Sequence, residues 1–220
     1  MLKIAVFDGG YGGDFFAEWL AEEIPVLNIT PVIDWRHAEH ILTSPREARK
    51  LAIAALEPYI GKVDLIIFAN HLVTATSLKY FRRKYKNQKF IGFELTKPDR
   101  FIKRNVLILT TKAMSRTLNY QNFLFHLKTK SKTLCLDEWP ALIDDGELTD
   151  EEITHTIGSF LVQENFHPEE IILACSQFQD IKPILAKYFG KNVRIYDSYN
   201  NALRQTCKTL RLRGSLKKIK

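Results

Sequence analysis

Hydrophobic and polar positions along this chain alternate in blocks. Short runs rich in Val, Ile and Leu recur at 2–7, 26–33, 63–68, 89–94, 105–110, 132–136, 170–174 and 193–197, and each predicts a strand. Runs such as Val63-Asp64-Leu65-Ile66-Ile67-Phe68 are apolar almost throughout, the pattern of strands buried on both faces in parallel sheets. Amphipathic stretches lie between them. One helix is predicted to begin at Ser44-Pro45-Arg46-Glu47, where a capping Ser precedes Pro at the first helical position and Glu follows three residues after the cap. Another is predicted from Thr149-Asp150-Glu151-Glu152. Alternating strands and helices predict an α/β fold with mainly parallel sheets. Ligands of such folds sit beyond the C-terminal ends of strands, so the informative loops follow residues 7, 33, 68, 110 and 174.

Composition adds little to that class but restricts the setting. No apolar run approaches the ~20 residues that span a bilayer. The first apolar run stops at Asp8 and a glycine cluster, unlike a signal peptide, and three cysteines in 220 residues do not suggest a disulfide framework. A cytoplasmic protein is expected. The net charge of +7 lies in the last segment: Arg204, Lys208, Arg211, Arg213, Lys217, Lys218 and Lys220 follow Asp197 with no acidic residue among them. Such a tail is compatible with nucleic acid, but it reads first as a solvated terminus. Arg82, Arg83, Lys84 and Lys86 form a second basic patch, read as a solvated helix face.

The loops carry the chemistry. Asp8-Gly9-Gly10-Tyr11-Gly12-Gly13 follows the first strand, and its glycines suit close approach of backbone to a ligand. It fits a dinucleotide fingerprint only in part, because Phe15 stands at the third glycine position, and the chain has no P-loop motif. Phe68-Ala69-Asn70-His71-Leu72-Val73-Thr74 and Ala174-Cys175-Ser176-Gln177-Phe178 each lie between a buried strand and a helix. A cysteine at such a junction is favoured as a thiolate by the helix N-terminus. Read alone, Cys175 reads first as a structural core cysteine, as Cys135 and Cys207 are expected to be.

Taken in order, these segments resemble the glutamate racemase family over nearly the whole chain. Lys3 to Gly13 resembles its opening strand and Asp-Ser-Gly-x-Gly-Gly loop, and Leu65 to Thr74 its strand and Cys-Asn-Thr-Ala loop. Thr110 to Tyr120 resembles its threonine-rich turn and Ser-x-x-Tyr helix start, with Thr117 and Tyr120 at the last two positions. Ile171 to Phe178 resembles its Gly-Cys-Thr-His-Tyr loop, and Lys187 to Val193 follows as it does there. The resemblance implies two similar α/β lobes related by a pseudo-twofold, with the site in the cleft between them. Lobe one would span 1–95 and 197–213, lobe two 96–196, and 214–220 would be a basic tail. It further implies cofactor-free racemisation by two thiols on opposite faces of an amino acid, supplying a peptidoglycan precursor, and a homodimer.

The chain departs from that pattern at the chemistry. Ala69 stands at the first thiol position, and a methyl group carries no proton. Cys175 keeps the second thiol, with Ser176 for Thr and Gln177 for His. Gly9 replaces a Ser, and Glu39, His40 and Ile41 stand where the family holds the substrate's distal carboxylate, so glutamate is a doubtful substrate. The expected catalytic positions are Cys175, His71 and Asp8. The expected substrate-binding positions are Gly9, Asn70, His71, Ser176, His40 and Thr111. By resemblance Asp8 meets an ammonium or assists the first thiol, while Asn70 and Ser176 hold an α-carboxylate. His71, two residues beyond the lost thiol, is a candidate replacement base. A metal site from His37, His40 and His71 lacks characteristic spacing, so no metal or cofactor is expected. Trp19 and Trp139 suit helix packing, and Trp35 lies in the substrate-side loop. Three functions follow: a racemase-fold protein no longer active on glutamate, a one-thiol isomerase or decarboxylase acting on another small carboxylate, and a binding or regulatory protein using the basic tail.

Overall fold

The computed structural model describes residues 1–38, 41, 44–95 and 105–212. The chain forms two compact units, Met1–Glu94 with Ser198–Lys220, and Leu95–Asp197. Each holds one four-stranded parallel sheet.

In the first unit the strands are β1 (Leu2–Asp8), β2 (Leu27–Ile33), β3 (Leu65–Phe68) and β4 (Phe90–Gly92), in the order β2-β1-β3-β4. Register runs Leu2 against Leu27, Ile4 against Leu65 and Ile66 against Phe90. β3 is fully buried, as its unbroken apolar run predicts. Alternate side chains feed two layers. Ile4, Val6, Leu65 and Ile67 join Phe16 and Leu20 of helix α1 (Tyr11–Glu23), with Phe93, Tyr199 and Leu203. The Phe16 ring meets Phe93 edge-on at 4.9 Å and Tyr199 at 5.0 Å. Phe68, of the opposite parity, meets Phe81 of helix α3 (His71–Lys84) at 5.2 Å. Helix α2 (Pro45–Leu56) begins as its sequence predicts, with Glu47 N–H donating to Ser44 Oγ at 3.3 Å. The last helix, α9 (Tyr199–Leu210), buries Tyr199, Ala202, Leu203, Thr206 and Cys207, a three–four spacing that presents one stripe to this unit's core.

The second unit repeats the strand order as β6-β5-β7-β8, from β5 (Val106–Thr110), β6 (Ser131–Cys135), β7 (Glu170–Leu173) and β8 (Arg194–Tyr196). Val106 faces Ser131 on one side and Glu170 on the other, and Glu170 faces Arg194. Its helices are α4 (Lys112–Ser115), α5 (Leu118–Leu127), α6 (Trp139–Asp144), α7 (Asp150–Gln163) and α8 (Lys182–Phe189). The predicted capping box opens α7: Thr149 Oγ1 accepts from Glu152 N–H at 3.3 Å, and Glu152 Oε2 accepts from Thr149 N–H at 2.9 Å.

Two expectations need correction. β6 is an edge strand, half-buried at every position, so Cys135 is not a core residue; its thiol reaches Ser115 Oγ at 3.7 Å. No long helix starts directly after Cys175. Gln177–Gln179 form a single 3-10 turn, and α8 starts only at Lys182, with Pro183 in its first turn. Among the described residues no helix is long and apolar enough to cross a membrane.

A Cβ on Gly13 would lie 2.3 Å from Asp8 Cβ, so only glycine lets the first turn of α1 sit against the end of β1. Gly13→Ala is expected to cost about 1–3 kcal/mol in a denaturant titration, because strand and helix must part. A loss under a few tenths would mean that the contact relaxes freely.

Candidate functional site

The sheet register brings three N-terminal loops together at the ends of β1, β2 and β3. Ala69 N–H donates to Phe7 O at 2.8 Å, and Asp34 N–H donates to Asp8 O at 3.0 Å. Asp8 is wholly buried. Its Oδ1 accepts from Gly9 N–H at 2.6 Å and from Asn70 Nδ2 at 2.8 Å, so the expected partners Asp8, Gly9 and Asn70 form one cluster. Asn70 also caps α3, its Oδ1 accepting from Val73 N–H at 3.0 Å. One side chain thereby fixes a helix start and a carboxylate together.

Position 69, where the resemblance would put the first thiol, is closed. Ala69 has no exposed surface and belongs to the apolar cluster of Phe16, Ile91, Phe93 and Tyr199. His71 is also buried, its ring edge-on to Phe93 at 5.4 Å and its Nε2 2.7 Å from Ser198 Oγ. Among the described residues Nδ1 has no hydrogen-bond partner. An orphaned N–H costs more than an orphaned lone pair, which favours the tautomer with the proton on Nε2, donating to Ser198. Burial pushes the imidazole down to about 3. A ring so reluctant to take a proton is a weak base, and its visible work is to tie the start of α3 to the start of α9.

Gly9 and Ile41 share one space. A Cβ on Gly9 would lie 2.9 Å from Ile41 Cδ1, and Ile41 is fully buried. His40, expected to bind substrate, lies outside the described residues, as do Glu39 and the tail from 213. Trp35 is half-exposed on a 3-10 turn (Trp35–His37), with its ring 4.2 Å from Tyr11. His37 Nδ1 pairs with Asp34 Oδ1 at 2.8 Å. Among the described residues no group of three or more His, Cys, Asp or Glu is placed to hold a metal ion.

The second unit gathers its own loops. Thr111, buried, caps α4 by accepting from Met114 N–H at 3.3 Å, and Thr117 caps α5 by accepting from Tyr120 N–H at 3.1 Å. Tyr120 bonds Thr133 Oγ1 at 2.6 Å, and burial pushes its phenol up to about 12. Cys175 is buried beside Trp139, Phe178 and Ile181. Its thiol donates to Gln177 Oε1 at 3.1 Å, and Ser176 Oγ donates to the same oxygen at 2.9 Å. Gln177 Nε2 lies 3.4 Å from Asp144 Oδ2. Asp144 and Ser198 take part in these clusters without any mark in the sequence. Each is far along the chain from its partner, and no local spacing announces it.

No family model matches the chain. A glutamate racemase of Clostridium perfringens (strain SM101 / Type A) is 26% identical over 215 residues, covering 92% of this chain and 80% of that one. The structure of Escherichia coli glutamate racemase in complex with L-glutamate and the activator UDP-MurNAc-ala aligns with a TM-score of 0.82 at 16% identity, covering 96% of this chain and 83% of that one. The Francisella tularensis subsp. tularensis SCHU S4 glutamate racemase in complex with D-glutamate aligns with a TM-score of 0.80 at 18% identity, covering 100% and 84%. These two likenesses are of fold. The chain is glutamate racemase-like, with two α/β lobes.

His71 also predicts an acid sensitivity. Its folded value of about 3 lies below the ordinary 6.5, so between those limits the unfolded chain binds a proton that the folded chain refuses. Stability from this group is complete above about pH 6.5 and falls by about 1.4 kcal/mol per pH unit below it, until the folded ring protonates. Urea titrations from neutral pH to about 4.5 are expected to show a shallower loss in His71→Gln than in the native chain. Equal slopes would remove His71 as the source.

Proposed function

We propose that this glutamate racemase-like chain does not racemise glutamate by the two-thiol route and that its one working acid–base group is Cys175. The observation that carries the reading is the environment of position 69. The resemblance puts the first thiol there, and the chain has a methyl group packed in the core. Two-base racemisation needs a proton carrier on each face of Cα, and one general acid or base is worth roughly 100- to 10,000-fold in rate. By resemblance Asp8 remains for an ammonium, and Asn70 and Ser176 for a carboxylate, so the ligand is an amino acid or a small carboxylate. The similarity to racemases described with L- and D-glutamate supports that ligand class.

A second reading, a one-thiol enzyme acting on a carboxylate other than glutamate, is favoured by the hydrogen bonds at Cys175. A thiol hydrogen-bonded to the Gln177 amide, which Ser176 also meets, is equipped to move a proton on one face of a carbanion, as an isomerase or a decarboxylase would require. In both readings His71 acts as a positioning group.

The test is α-proton exchange in D2O followed by NMR. Glutamate of either hand is expected to keep its α-proton and its chirality. Inversion of glutamate that is lost in Cys175→Ala would overturn the proposal. On a panel of other amino acids and small carboxylates, the one-thiol reading expects exchange or decarboxylation that disappears in Cys175→Ala. Ala69→Cys divides the two readings: an idle racemase site gains glutamate inversion, whereas an enzyme adapted to one thiol loses its own reaction.

A further inference from the structure

The geometry points to Gln177 and Asp144 as positioning residues that hold Cys175 in its protonated thiol form, so that this loop gives a proton rather than takes one. The inference rests on Cys175 being the working acid–base group. Gln177 is fully buried, and its carbonyl oxygen receives two donors, the Cys175 S–H at 3.1 Å and the Ser176 O–H at 2.9 Å. A thiolate in that place would set a negative sulfur against a carbonyl oxygen in a buried, poorly screened site. The side-chain amide can relieve the clash only by turning over, to offer Nε2–H to the sulfur. Turning over brings Oε1 to the Asp144 carboxylate, which now faces Nε2 at 3.4 Å. An ionised carboxylate accepts and cannot donate, so it opposes the turn. Asp144, at the end of α6, thereby fixes the amide, and the amide fixes the proton on sulfur.

On the packed elements of the same unit, α8 opens with the cation Lys182, which is held by Asp197. β5 carries no titratable side chain. The 3-10 turn packs on α6, whose own titratable group is Asp144, flanked by Glu138 and Asp145 at its two caps. Asp180 closes the turn, with its carboxyl pushed up by burial. In the step this permits, the S–H bond breaks as the electron pair of a substrate carbanion forms a new C–H bond. The thiolate left behind recovers its proton from water. A reaction that first requires a base, such as abstraction of an α-proton from a resting amino acid, begins from the wrong protonation state.

The test reads the thiol directly and needs no substrate. Thiolate ultraviolet absorbance of the full chain is followed against pH, with Cys175→Ser subtracted to isolate this sulfur. Cys175 is expected to stay protonated past ~8.5, the ordinary cysteine value. Asp144→Asn, neutral and able to donate, frees the amide to turn and is expected to lower the midpoint by about one pH unit. Asp144→Glu, which keeps the acceptor charge, is expected to restore a high midpoint. Thiolate at neutral pH in the native chain would overturn the inference, as would an Asp144→Asn midpoint equal to the native one in a protein with native circular dichroism. Failure of the one-thiol reading is distinguishable: the Asp144→Asn shift would persist while no substrate in the D2O panel shows Cys175-dependent chemistry.

Discussion

A carboxylate with no exposed surface, Asp8, sets the terms for the loops of the first unit. A buried charge is tolerated only where protein groups replace its water. Here the Gly9 amide and the Asn70 side chain do so from two different loops. Asn70 meets this requirement only if α3 begins at residue 71, since its other atom caps that helix. Gly13 must lack a side chain for α1 to approach. The carboxylate, the helix start and the glycine form one constraint, which orders these loops whatever side chain stands at position 69. Asp8 and Asn70 hold each other whether or not a substrate comes.

The two loop clusters have different surroundings. At the end of β3, the position where the resemblance would put a first thiol is part of the core: Ala69 packs with aromatics, and the neighbouring imidazole bonds inward to Ser198. At the end of β7 a thiol is present, with Ser176 and Gln177 beside it. An amide accepts a proton into a hydrogen bond but does not carry it away, so Gln177 is suited to hold the Cys175 proton in place, as proposed above. Each cluster keeps its own hydrogen-bonded side chains, Asp8 with Asn70 in one and Ser176 with Gln177 in the other. On the proposed reading, such loops suit a small carboxylate and chemistry in one direction only.

The fold was legible because its signals are local. Continuous apolar runs specified parallel strands, and Ser44 and Thr149 announced their helices through caps that form as written. The failures are equally physical. Cys135 occupies a strand, but burial depends on whether a strand has neighbours on both sides, and edge position is a tertiary property. The 3-10 turn after Cys175 was hidden because Pro183 marks a helix start several residues later, leaving the intervening turn unspecified. In the site, Asp8, Gly9 and Asn70 come together as a strand-end reading expects. The partners of His71 and Gln177 come from 127 and 33 residues away, and pairwise contacts at such distances leave no periodic trace in one sequence.

Gly9 and Ile41 carry the argument about specificity further than either residue alone. Their atoms compete for one volume, since any side chain at 9 would overlap the isoleucine, and the isoleucine fits only because 9 has none. Packed interiors respond to changes of a single methylene. A polar group at position 9 would therefore need a smaller residue at 41 before it had room. The consequence falls on the ligand. By resemblance these positions lie where a polar contact and a distal carboxylate would be met, yet the space is closed by a branched hydrocarbon. An apolar wall strengthens the contrast with a charged group by withholding hydrogen bonds that water would supply. The methyl group at 69 and the filled space at 9 and 41 are two independent departures from the pattern that the resemblance describes, and restoring one residue of either feature leaves the other in place.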